Sequence, residues 1–115
     1  MKIDRDMLLI VKSDQFGADE PDLGAKLTQA FFTCLLDSGS IPDEMIFLTR
    51  GIFLTTEGSP VLGLLERLAA AGTRISSCGT CLDYYGRREK LVCGEPGTMK
   101  GTVEAIQGHS RVVTQ

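Results

Sequence analysis

Two kinds of apolar spacing alternate along this 115-residue chain. Residues 7–11 form an unbroken apolar run, which suits a strand buried on both faces of a parallel sheet. Between residues 23 and 36 the apolar positions Leu23, Leu27, Ala30, Phe31, Cys34 and Leu35 fall on one helical face. Asp19, Glu20 and Asp22 favour the positive end of that helix, and Gly39 and Pro42 stop it. Residues 45–48 predict a second strand, and 52–54 a short apolar piece after Arg50-Gly51. Ser59-Pro60 reads as N-cap and first residue of a second helix, with Val61, Leu62, Leu65, Leu68 and Ala69 buried and Gly72 as terminator. A strand over 74–77, a turn into a short helix over 78–86, a fourth strand over 91–93, a helix over 99–107 and a strand over 111–114 complete the pattern. Alternating strands and helices predict an α/β fold: a single domain over 1–115, a three-layer α/β/α sandwich with a mostly parallel sheet of about five strands.

In such a sheet, sites form at the carboxyl ends of the strands. The loops there would gather Ser13, Asp14, Thr49, Arg50, Cys78, Cys81, Thr98 and Met99.

Composition narrows the chemistry. A net charge of −3 argues against a nucleic-acid binder, whose affinity comes largely from neutralising phosphates. No apolar stretch approaches the roughly 20 residues needed to cross a bilayer, and the acidic, interrupted N-terminus does not read as an export signal, so a cytoplasmic location is expected. The loop over 13–20 carries three carboxylates and one glycine, unlike a phosphate cradle, so FMN and ATP are not expected and no cofactor is assigned.

Four cysteines remain, reduced in that setting and therefore reactive, structural or metal-binding. Cys78-Gly79-Thr80-Cys81 stands at a strand-to-helix turn, where unpaired N–H groups and the helix dipole stabilise thiolates. Cys34 reads as part of the first helix's apolar stripe, and Cys93 as core or a second wall of the site. A zinc site would need four ligands; Cys93 and His109 are conceivable completions, but no second close pair exists and no metal is assigned. His109, after Gly108 in a polar turn, reads as exposed. A dithiol switch remains open, although no aromatic residue precedes the motif. Cys81 and Arg87 share the C-x5-R spacing of phosphate-binding loops, but Asp83 would repel phosphate and Tyr84-Tyr85 would crowd the loop.

The whole chain resembles the DsrE/DsrF-like family of small sulfur-handling proteins, and within it the C-terminal domain of YedF-type proteins linked to selenium metabolism. The resemblance is carried by the first strand with its acidic loop, by Gly58-Ser59-Pro60-Val61-Leu62, by residues 72–86 with Cys-Gly-Thr-Cys-Leu-Asp-Tyr-Tyr-Gly, and by Gly97-Thr98-Met99 with the closing helix and Arg111-Val112-Val113. In sulfur-relay members of that family, a cysteine at the position of Cys78, six residues after Gly72 and eight before Gly86, accepts sulfur as a persulfide. The resemblance thus implies a sulfurtransferase-like sulfur or selenium carrier on Cys78, with Cys81 as resolving thiol or local modulator. It also implies a sulfur-donor or TusA/SirA-like partner and a trimeric or hexameric homo-oligomer. Backbone N–H groups at the turn, those of Gly79 and Thr80, would serve an anion, and Arg87, Arg88 and Lys90 could dock an acidic partner. Two departures stand out. YedF-type proteins usually carry a preceding SirA/TusA-like domain, here either supplied by another polypeptide or unnecessary, and an Asn-Met pair where this chain has Thr98-Met99. The alternative is a non-catalytic oligomeric binding or redox-sensing module of the same fold.

Overall fold

The computed structural model of the chain describes residues 1–17 and 19–115; Ala18, in the acidic loop, lies outside the described residues. In order come β1 (Lys2–Val11), α1 (Pro21–Asp37), β2 (Ser40–Phe47), α2 (Leu62–Ala70), β3 (Arg74–Cys78), α3 (Gly79–Tyr84), β4 (Glu95–Gly97), α4 (Met99–Gly108) and β5 (Arg111–Thr114). Tight 3-10 turns cover Thr49–Leu54 and Arg88–Lys90. The five strands pair in parallel in the order β4-β3-β2-β1-β5. Successive crossovers step outward from β1 to β4, and α4 carries the chain back to β5.

Both sheet faces are covered, as the continuous apolar run in β1 requires. Leu9, Val11, Ile41, Met45, Phe47 and Ile75 face α1, α2 and the Thr49–Leu54 turn, forming the larger core with Phe32, Leu36, Leu65 and Leu68. Leu8, Ile10 and Ile46 face the other way, against Ala105 of α4.

Several elements differ from expectation for identifiable reasons. The buried face of α1 is Gly24, Thr28, Phe32 and Leu36, while Leu23, Leu27 and Cys34 are exposed. The stripe is turned because a glycine and a threonine belong to it. A Cβ at Gly24 would lie 2.8 Å from Gln15 Cβ, and the Thr28 hydroxyl donates to Gly24 O at 2.9 Å, so close backbone approach replaces apolar bulk. Pro42, read as a helix stop, lies within the central strand β2. It is tolerated at an irregularity, where Arg5, Asp6 and Met7 of β1 stand opposite Asp43 alone. Ile52 to Leu54 belong to the 3-10 turn, and α2 starts at Leu62, with Ser59 Oγ accepting from the Val61 N–H at 3.1 Å; Ala69 is exposed.

The fourth strand is also displaced. Residues 91–93 leave the sheet: Leu91 bridges Thr56, and the Val92 and Cys93 N–H groups both donate to Thr55 O. Gly94 turns the chain at φ +80°, and Glu95-Pro96-Gly97 pairs with Ser76–Cys78 as an edge strand, where a proline is harmless. Cys93 is buried in the larger core.

Candidate functional site

Val11, Phe47, Cys78 and Gly97 end four neighbouring parallel strands on one edge of the sheet. Cys78 ends β3 and is the N-cap of α3. Its Sγ accepts the backbone N–H of Cys81 at 3.3 Å, as an oxygen side chain does at an ordinary N-cap. Leu82, fully buried, anchors the short helix and so fixes both cysteines. Both thiols are free and partly exposed.

Cys81 is held from a second direction. The backbone N–H of Thr49, just past β2, donates to Cys81 Sγ at 3.2 Å. Thr49 adopts φ +48°, a left-handed conformation that a β-branched residue rarely accepts and that costs about 1–3 kcal/mol. Neighbours impose it. The Thr49 hydroxyl donates to Lys12 O at 2.6 Å, the Leu48 N–H donates to Val11 O at 2.9 Å, and Gly51 packs so closely that a Cβ there would lie 2.2 Å from Val11 O. Burial, together with the neighbouring Cys78 thiol, raises the Cys81 thiol above its ordinary range; the Thr49 N–H opposes this.

The turn between the cysteines is also crowded. A Cβ at Gly79 would sit 2.8 Å from an Arg88 nitrogen and 3.2 Å from Gly97 O, and Gly79 O accepts from Arg88 at 3.2 Å. Thr80 is exposed. Thr98 follows directly on Gly97, the β4 partner of Cys78; its side chain caps α4 by accepting the Gly101 N–H at 3.0 Å, and Met99 is exposed beside it. Thr49 therefore touches Cys81, Cys81 touches Cys78, and Gly79 lies between the two cysteines in the chain, with Thr98 beyond the paired Gly97.

The remaining residues of the expected site turn elsewhere. Ser13 lies by Gln115, its N–H donating to Gln115 Oε1 at 3.0 Å. Arg50 pairs with Asp14 at 3.3 Å, and its guanidinium stacks 4.5 Å from the centre of the Phe53 ring. Arg87 stacks on the same ring at 4.4 Å and donates to Thr56 Oγ1 and Glu57 O, so its guanidinium is already engaged. Arg88 grips Asp83 at 2.7 Å and holds that carboxyl below the usual range, while Lys90 is exposed. A cleft of 220 Å³ beside this region is lined by Asp14, Phe53, Glu57, Ser59 and Arg87 rather than by the thiols. Both cysteines are partly exposed at the strand ends.

No protein-family model matches the chain, and no curated protein matches it. Solved structures do. The crystal structure of the ychN protein from E. coli superposes with a TM-score of 0.69 at 18% identity, over 96% of this chain and 99% of that one. The fold is DsrE-like. The MTH1491 protein from Methanobacterium thermoautotrophicum, a protein of unknown function, superposes with a TM-score of 0.66 at 14% identity, over 97% of this chain and 100% of that one. At these identities the likeness concerns the DsrE-like fold alone. Among the described residues, no helix is long and apolar enough to cross a membrane.

Two groups of polar residues escaped the sequence reading. The Gln115 amide satisfies the loop after β1 by accepting the Lys12 and Ser13 N–H groups and donating to Ser13 O and Gln15 O. The second group lies away from the thiols, near the start of β3. There Asp43 accepts from Arg5 at 3.0 Å, Arg74 at 2.7 Å and His109 at 2.9 Å. The His109 side chain, expected in solvent, is only 6% exposed, because its Nδ1 reaches Ala105 O at 2.7 Å and ties the end of α4 to the sheet. Burial pushes the Asp43 carboxyl up, but its three donors outweigh it and hold it at about 2. His109 is raised by the Ala105 carbonyl against a smaller burial effect, with Asp43 adding to the rise.

Proposed function

We propose that this protein carries sulfur, or selenium, as a persulfide or its selenium counterpart on Cys78. The reading rests on one arrangement above all: a partly exposed thiol at the carboxyl end of a parallel strand whose sulfur is met by a backbone N–H from the following turn. A persulfide anion extends a thiolate by one sulfur, and preorganised N–H donors suit either. Partly exposed thiols that do not line the neighbouring cleft favour delivery by a docked protein over capture of a free metabolite in that cleft. We take the donor to be a protein persulfide of the TusA/SirA-like kind, approaching by exposed Lys90. Arg87 and Arg88 take a smaller part, since their guanidinium groups are already engaged. Exposed Met99, Val103 and Ile106 on α4 suit association with further copies of the chain.

The test uses Cys81→Ser, which leaves Cys78 as the sole thiol of the turn. Incubation with a donor carrying labelled sulfane sulfur, followed by gel filtration, is expected to leave label on Cys81→Ser and none on Cys78→Ser. Equal labelling of both variants, or of neither, would overturn the reading.

A further inference from the structure

The carrier reading leaves open whether Cys81 resolves Cys78 or only modulates it, and the structure positions that second cysteine closely. The Cys81 N–H contacts Cys78 Sγ, and Cys81 Sγ receives the N–H of the strained residue Thr49. A donor aimed at a sulfur is of most use when that sulfur bears negative charge.

Resting on the carrier reading, we propose that Cys81 unloads Cys78: its thiolate attacks the inner sulfur of a Cys78 persulfide, closing a Cys78–Cys81 disulfide and expelling the outer sulfur as hydrosulfide. The bond between the two protein sulfurs forms as the bond from Cys78 Sγ to the outer sulfur breaks. The outer sulfur leaves with the electron pair as HS⁻ and is reduced, the Cys81 sulfur is oxidised, and the Cys81 proton passes to solvent. A single turnover needs no other reagent. Further turnovers need an external dithiol, which reduces the disulfide and is itself oxidised to a disulfide.

Three features favour this course. Cys81 stands three residues past the N-cap Cys78, on the same first turn of α3, so buried Leu82 fixes both cysteines together. Thr49 cannot swing away, because its hydroxyl is bonded to Lys12 O and Gly51 is wedged against Val11 O. Burial raises the unloaded Cys81 thiol above its ordinary range, and a more basic thiolate is the stronger nucleophile once formed. Hydrosulfide is also a good leaving group, since exchange is faster when the departing thiol is the more acidic.

The experiment treats reduced protein anaerobically with one equivalent of glutathione persulfide, then follows hydrosulfide with a bimane probe and the protein by intact and peptide mass. Wild type is expected to release about one hydrosulfide per chain and to finish two hydrogens lighter, with Cys78 joined to Cys81. Cys81→Ser and Cys81→Ala are expected to keep the sulfur on Cys78 and release none. Release in wild type should quicken with rising pH as Cys81 ionises. A wild-type persulfide on Cys78 as long-lived as in the variants overturns the proposal and leaves the carrier reading intact; a sulfur mapped to Cys81 in place of Cys78 overturns both. Cys78 free of sulfur in the Cys81 variants overturns both.

Discussion

The Thr49 backbone N–H stands 3.2 Å from Cys81 Sγ, joining the end of β2 to the first turn of α3. Cys81 is therefore governed by opposing influences: burial and the Cys78 thiol raise it, and Thr49 lowers it. Replacing Cys78 by alanine removes a raising influence and leaves Thr49 in place. Cys81 in Cys78→Ala is expected to alkylate faster at neutral pH than in wild type, with its rate profile moved to lower pH. Iodoacetamide kinetics read by peptide mass spectrometry check this, and an unchanged profile would show that Cys78 does not act on Cys81.

Glycines near the site make opposite demands on substitution. Gly51→Ala forces a Cβ within 2.2 Å of Val11 O and is expected to destabilise the fold by about 1–3 kcal/mol, while disturbing the Thr49 loop. Gly63, inside α2 with nothing within 4 Å of a new Cβ, should gain about 0.5–1 kcal/mol on changing to alanine. Urea denaturation of the two variants should give midpoints on either side of wild type.

The contrast between these glycines marks what the sequence makes legible. Fold class, the position of Cys78 at a strand end and the helix entered from it all follow from period and turn residues. The buried side of α1 does not, because apolar counting selects Leu23, Leu27 and Cys34, whereas backbone contact selects Gly24 and Thr28. The 91–93 segment misleads in a similar way: it is apolar because it packs under Thr55 and Thr56, while the strand that pairs with Cys78 is the unpromising Glu95-Pro96-Gly97. Local pattern carries no trace of Gln115 closing a loop 100 residues earlier, or of His109 reaching Asp43.

Cys34 and Cys93 should respond differently to serine. Cys34, exposed on α1, is expected to tolerate the change within about 0.5 kcal/mol. Cys93, buried among Leu and Phe side chains, would place a hydroxyl in the core at a cost of about 1–3 kcal/mol. Denaturant midpoints decide it; equal effects would contradict the observed packing of α1.

His109 gives the fold a pH dependence with a definite sign. Its folded pKa lies above the ordinary 6.5, so its contribution is fully present below about pH 6.5 and is lost as pH rises through the folded value. Asp43 runs the other way: held at about 2 against 3.8, it contributes above pH 3.8 and loses that contribution as pH falls toward 2. His109→Gln is expected to cost about 1–2 kcal/mol at pH 6, with the gap to wild type narrowing by pH 9. Urea titrations at both pH values read the gap, and a constant difference would show that His109 acts only through packing.

The decisive measurement is peptide mass spectrometry of Cys81→Ser after exposure to a persulfide donor, with the thiols of Cys34 and Cys93 as internal controls. The expected result is one added sulfur on the peptide that bears Cys78 and on no other. Sulfur distributed among exposed thiols, or found on Cys34 with Cys78 unmodified, would contradict the assignment of Cys78 as the carrier.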